Sequence, residues 1–79
     1  MRVLFFAQTK DAAGTSELEV KISGQLELEE IWRTLVQVRP ALAMFQTSAR
    51  LARNGEYADD KTVFSDADEV ALIPPVSGG

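Results

Sequence analysis

The residues of this 79-residue chain whose types and spacing point to chemistry are its last six, Pro74-Pro75-Val76-Ser77-Gly78-Gly79. Proline cannot donate to a strand ladder, so the pair ends whatever strand precedes it and holds its own segment extended. At about 3.3 Å per residue, the segment from Pro74 to Gly79 can project roughly 20 Å. Gly78 and Gly79 carry no side chains. Such an end can thread a narrow channel and bring a bare carboxylate to another protein's active site. Activated as an acyl-adenylate, that carboxylate is open to attack by sulfur and becomes a thiocarboxylate, with no cysteine needed in the carrier. The competing reading is an unused end. At about 7% glycine, a Gly-Gly terminus arises by chance in about one chain in two hundred. The weight therefore rests on its position behind the Pro-Pro stop of a small domain.

Other chemistry is largely excluded by composition. The chain has no cysteine and no histidine, which removes thiolate nucleophiles, Ser-His triads, disulfides and the usual zinc ligand sets. No paired carboxylates are placed for acid–base work. Asp59-Asp60 and Asp66, Asp68 and Glu69 match no calcium-loop spacing and read as solvated acidic loops. Lys10, Lys21 and Lys61 have no neighbours in sequence that would lower a pKa. The net charge is −4 with scattered basic residues, so no concentrated positive face is expected for nucleic acid. The apolar run at the start, Val3-Leu4-Phe5-Phe6-Ala7, is too short for a signal peptide or a membrane span. A cytoplasmic protein without bound metal or cofactor is expected.

The elements that must position the tail follow from apolar spacing. Residues 3–7 form a continuous apolar run, expected as a strand buried on both faces. Residues 8–15, with Lys10, Asp11 and Gly14, read as a turn or loop. Leu18, Val20 and Ile22 alternate with polar residues as a half-exposed strand. Leu28, Ile31, Trp32, Leu35 and Val38 recur at steps of three and four, the stripe of an amphipathic helix that Pro40 stops. Glu27, Glu29 and Glu30 are expected in its first turn, where negative charge suits the helix dipole, and the N-cap is left open, since Ser23 is early and Glu27 caps poorly. Trp32 on that stripe is expected in the core. Residues 41–45 are expected to add a short helical turn. Residues 48–53 alternate weakly, with Ala49 and Leu51 on one face and Arg50 and Arg53 on the other. Asn54-Gly55 is a hairpin turn leading to a short return strand at residues 56–58. Val63-Phe64 drops onto the core, Asp66-Ala67-Asp68 turns, and residues 70–73 form a second fully apolar strand.

One helix against one mixed sheet of about five strands predicts an α+β fold of the β-grasp (ubiquitin-like) type, with the first and last strands central. The domain would span residues 1–73 and the tail residues 74–79. A chain of 79 residues builds only a thin core, leaving little room for a private catalytic cavity. A single helix covers one face of the sheet. The other face is expected to expose Phe6 and Ile73, joined by Tyr57, as a partner site. The alternative is that the chain around Phe45 or Phe64 covers that face.

Val3-Leu4-Phe5-Phe6-Ala7, Asp68-Glu69-Val70-Ala71 and the terminal Pro74-Pro75-Val76-Ser77-Gly78-Gly79 together resemble the small subunits of molybdopterin synthase, which are ubiquitin-like sulfur carriers. The resemblance covers nearly the whole chain in length and element order, and the terminal motif is its most specific part. It implies a β-grasp fold and a terminal glycine adenylated by an E1-like enzyme at the expense of ATP, then converted to a thiocarboxylate. It further implies a tail that enters the large catalytic subunit and gives sulfur to cyclic pyranopterin monophosphate, in a heterotetramer of two large and two small subunits. Under it, Gly79 bears adenylate and then sulfur, and Gly78 keeps the channel passage narrow. Pro74, Pro75, Val76 and Ser77 lie along the passage. Phe6, Tyr57 and Ile73 face the adenylating enzyme and the large subunit in turn. The chain would be a sulfur donor rather than an enzyme by itself. The family's turn before the last strand often reads Asp-Gly-Asp, and here it is Asp66-Ala67-Asp68, which puts the local turn type in question.

Other uses of the same features remain open. A carrier for thiazole or another sulfur-containing product has the same fold and terminus, but the Pro-Pro-Val-Ser lead-in fits the molybdopterin branch better. A protein-modifying ubiquitin-like tag is a third use of Gly-Gly. A ubiquitin-like interaction module without terminal chemistry would tolerate extension beyond Gly79.

Overall fold

The computed structural model describes residues 1–75. The sheet has five strands: β1 (Arg2–Phe5), β2 (Glu17–Glu19), β4 (Arg50–Arg53), β5 (Glu56–Tyr57) and β7 (Glu69–Ile73). Their spatial order is β2-β1-β7-β4-β5. The first and last strands run parallel at its centre, with Val3 opposite Val70 and Phe5 opposite Leu72. β4 pairs antiparallel with β7, placing Leu51 opposite Leu72 and Arg50 opposite Ile73. This is the expected β-grasp layout.

Alternation along β1 and β7 sends Val3, Phe5, Val70 and Leu72 to the helix side, where each is at most 2% exposed. Helix α2 (Leu28–Val38) closes that side with Ile31, Trp32 and Leu35 buried. Leu28 is half-buried at the start of the expected stripe, while Val38 at its end is exposed. The helix starts with the pairing that Glu27 alone does not announce: the Glu27 backbone N–H donates to Glu30 Oε1 at 3.0 Å, one arm of a capping box. Pro40 begins a 3-10 helix (Pro40–Phe45) that buries Leu42, in line with the expected short turn.

Several expectations are corrected. Residues 8–15 are not simply a loop: they contain helix α1 (Gln8–Ala13), which buries Thr9 and Ala13 on one face. Gly14 ends it in the left-handed conformation, φ 75°, its N–H donating to Lys10 O at 2.9 Å. A six-residue helix cannot stand alone; it holds because Thr9 and Ala13 pack inward. β1 is not buried on both faces, since Leu4 is only half-buried and Arg2 is exposed. Arg50 and Arg53 do not share a face, because they are three positions apart, an odd step on a period of two. Arg53 lies with Leu51 on the helix side, and its guanidinium donates to Val63 O.

A second small sheet pairs β3 (Leu26–Glu27) with β6 (Val63–Phe64), and it seats Phe64 in the core. The expected strand around Leu18, Val20 and Ile22 pairs only as far as Glu19. The return strand after Asn54-Gly55 is likewise two residues, Glu56–Tyr57. The Asp66-Ala67 turn needs no glycine. Among the described residues the non-glycine positive φ values belong to Ala7 and Asn54, not Ala67. The turn closes instead on Ser65, whose O accepts the Asp68 N–H at 3.0 Å. Asp68 Oδ2 in return accepts the Ser65 backbone N–H at 2.8 Å.

Among the described residues no helix is long and apolar enough to cross a membrane.

Candidate functional site

The outer face of the sheet can be read row by row from the ladder. The middle row holds Glu17, Leu4, Ala71, Ala52 and Tyr57, each directly opposite the next. The row toward the tail pairs Ile73 with Arg50, and Phe6 lies one residue past the Phe5–Leu72 pair at the end of β1. The far row holds Glu19, Arg2 and Glu69. The outer face is therefore apolar at its centre and tail end and charged at its far end. Phe6 is 48% exposed and Tyr57 59%; Ile73 and Pro74 are half-buried, and Pro75 is exposed.

The segments that sequence offered as a cover lie elsewhere. Phe64 is fully buried in the helix-side core, and Phe45 packs against the same core. Neither is on the outer face, so among the described residues that surface remains open. An open groove of about 430 Å³ runs beside Phe6, lined by Leu4, Phe5, Ala7, Lys10, Ser16 and Glu17.

Local chemistry fixes Phe6. Its backbone N–H donates to Thr9 Oγ1 at 3.0 Å, and its carbonyl accepts from the same hydroxyl at 2.7 Å. Thr9 is fully buried, so the strand end is clamped by a satisfied buried hydroxyl. Ala7 takes φ 50° and ψ −125°, a conformation that glycine adopts more readily. It turns the chain sharply from β1 into α1.

At the charged end, Arg2 donates to Glu17 at 2.9 Å and to Glu69 at 3.2 Å. The bond from Arg2 holds the Glu17 carboxyl below its ordinary range. These groups neutralise one another at an exposed site, where such pairs contribute little stability.

A larger cleft of about 510 Å³ lies at the start of α2, lined by Glu27, Glu29, Glu30, Arg33, Gln46 and Asp60 among others. It is on the helix side, away from the face that carries Phe6, Tyr57 and Ile73. It brings together carboxylates and an arginine but no nucleophile.

Of the residues singled out in sequence, Phe6, Tyr57, Ile73, Pro74 and Pro75 fall on one face or its exit. Val76, Ser77, Gly78 and Gly79 lie outside the described residues. Strict alternation in sequence already groups Leu4 with Phe6 and Ala71 with Ile73. Placing Arg50 beside them requires the register of β4 against β7.

Comparison with known proteins agrees with this fold. The profile of the ThiS family matches residues 3–79. The molybdopterin synthase sulfur carrier subunit of Chlamydomonas reinhardtii is 35% identical over 81 residues, covering 100% of this chain and 98% of that protein. Among solved structures, SAMP1 (small archaeal modifier protein 1) from Haloferax volcanii superposes with a TM-score of 0.86 at 31% identity, covering 100% of this chain and 98% of that one. Also similar is a chain in the complex of subunits 1 and 2 of molybdopterin-converting factor from Helicobacter pylori 26695, with a TM-score of 0.67 and 26% identity over 99% of this chain and 96% of that one. From its opening strand to its terminal glycines, this chain belongs to the ThiS family and groups there with the sulfur carrier subunits of molybdopterin synthase.

Proposed function

We propose that this chain is the sulfur carrier subunit of a cytoplasmic molybdopterin synthase, with Gly79 as the atom-bearing end. The observation that carries the reading is the full-length likeness to curated carrier subunits, ending in Gly78-Gly79 behind a strand and a Pro-Pro stop. An E1-like enzyme joins the Gly79 carboxylate to AMP from ATP and releases pyrophosphate. A sulfide-level sulfur nucleophile from a donor then attacks the acyl carbon, AMP leaves, and Gly79 ends in a thiocarboxylate. The carrier itself holds no nucleotide or metal. The tail next enters the large subunit, Gly78 keeping its passage narrow, and sulfur passes to cyclic pyranopterin monophosphate. The likeness to the Helicobacter pylori two-subunit complex supports a large-subunit partner. A heterotetramer of two large and two small subunits follows from the family resemblance.

The outer face is the docking surface in this reading. Phe6, Tyr57 and Ile73 present apolar area next to the exit of Pro74 and Pro75, with Val76 and Ser77 continuing into the partner. One surface serving both the E1-like enzyme and the large subunit makes their binding exclusive and sequential.

A second use of the same end is favoured by the similarity to SAMP1. As a protein modifier, activated Gly79 would form an amide with a lysine amine and release AMP. Loss of Gly79 blocks both uses, so the reaction itself must be assayed. With purified E1-like enzyme, ATP, a sulfide-level sulfur source, the large subunit and cyclic pyranopterin monophosphate, the full chain should give molybdopterin and the chain lacking Gly79 none, while both unfold at the same temperature. Full conversion by that variant would contradict the carrier reading.

A further inference from the structure

Arg50 stands out among the cations of the outer face. Its guanidinium carbon lies 4.0 Å from the centroid of the Tyr57 ring, and its Cα is opposite Ile73, the last residue of β7. Arg2, on the same face, is bonded to two carboxylates. Arg50, among the described residues, has no carboxylate within 4.0 Å and no hydrogen-bond acceptor. Stacking on an aromatic ring uses the face of a guanidinium and leaves its in-plane N–H donors free. It also fixes a side chain that would otherwise lose rotamer freedom on binding. The apolar patch thus ends, at the root of the tail, in one pre-positioned planar cation. The chain as a whole is acidic at −4, so this local sign is opposite to the net field a partner meets.

We propose that Arg50, held on Tyr57, recognises a carboxylate of the large subunit, and that the outer face fits a surface of that subunit with an apolar centre and an acidic group over the Ile73 end of the last strand. The inference rests on the outer face being the docking surface. Arg50 acts as a specificity residue: it rejects surfaces that would leave its donors desolvated and unpaired, and it sets the register in which the tail enters.

The test uses the full chain and the large molybdopterin synthase subunit from the same organism, with affinity measured by calorimetry at two salt concentrations. Arg50→Ala should weaken binding about 10-fold, and Arg50→Glu by about 100-fold or more, with a smaller salt dependence for Arg50→Ala than for the parent. Arg50→Lys should recover only part of the loss, because lysine keeps the charge but not the flat stack and fork. In the complex of the Arg50→Lys variant, carbodiimide should couple the new amine at position 50 to an Asp or Glu of the large subunit, identifiable by peptide mass spectrometry. Phe6→Ala serves as the reference variant. If Phe6→Ala weakens binding while Arg50→Ala and Arg50→Glu leave it unchanged, the assignment of Arg50 is overturned and the docking face stands. If none of the three weakens binding, the docking face itself falls. Full recovery by Arg50→Lys would leave a simple charge and remove the role given to Tyr57.

Discussion

The two faces of one sheet are built from the same strands and nearly the same residue types, yet they have different fates. On the helix side Val3, Phe5, Val70 and Leu72 are at most 2% exposed. On the other side Leu4, Ala71 and Ile73 are half-buried, and Phe6 and Tyr57 stand exposed beside them. The first face is accounted for by folding: it meets Ile31, Trp32 and Leu35 of α2. The second contributes little to folding, because its apolar area stays near water. Full burial of a large apolar side chain is worth roughly 1.5–3 kcal/mol relative to exposure, and Leu4, Phe6 and Ile73 each still have part of that to gain. That open apolar area, beside Ile73 and Pro74, is where the proposed docking would take place.

The contrast can be broken most severely from the inside. Phe5→Ala or Leu72→Ala should lower unfolding stability by about 3–5 kcal/mol in urea titrations, a large part of the total that a small domain possesses. Phe6→Ala, one residue away, should move the unfolding midpoint little but weaken large-subunit binding about 10- to 100-fold, read by calorimetry. Ile73→Arg should do the same and more, since it places a charge in the patch. If Phe6→Ala were as destabilising as Phe5→Ala, the distinction between the faces would collapse.

A variant at the turns sharpens the comparison as a control. Asp68 Oδ1 accepts from Asn54 Nδ2 at 2.9 Å and Oδ2 from the Ser65 N–H at 2.8 Å, tying the Asn54-Gly55 hairpin to the turn before β7. Asp68→Ala should cost about 1–2 kcal/mol in urea titrations while leaving partner affinity unchanged.

The smallest effect is that of pH. The Ser65 N–H and Asn54 hold the Asp68 carboxyl below its ordinary 3.8. The Ile22 N–H, then the N-terminal amine, do the same for Asp66. Folded values below the unfolded ones mean that unfolding takes up protons in acid. The stability from these groups is complete above about pH 4 and is lost as pH falls through the folded values. Melting temperatures should therefore be flat from pH 7 to 5 with respect to these two aspartates and fall below pH 4. In Asp68→Ala that acid decline should be shallower.

The period of two in β1 and β7 and the period near 3.6 in α2 made the layout readable, because each pattern is long enough to fix both element and face. Helix α1 was hidden because its buried face is Thr9 and Ala13 rather than two large apolar residues, so no stripe announced it. Gly14 was the available signal, as a helix-ending glycine rather than a loop residue. The β3–β6 pair was missed because two-residue strands carry no periodicity. Arg53 belongs with Leu51 by strict alternation, and its residue type alone points to the opposite face. On the candidate site, Phe6, Ile73 and Tyr57 could be named from sequence once the single helix was counted against two sheet faces. Arg50 could not, since only the pairing with Ile73 and the stack on Tyr57 single it out from the other cations. Val76, Ser77, Gly78 and Gly79 rest on sequence and family alone.

The central claim is that sulfur resides on Gly79. The most direct test is the accurate mass of the C-terminal peptide, from protein carrying an N-terminal tag and purified from its native host during demand for molybdenum cofactor. The account predicts a fraction in which one oxygen of the terminal carboxylate is replaced by sulfur. A plain carboxylate in every preparation, including those from cells making the cofactor, would contradict it and leave an interaction module with an exposed sheet face.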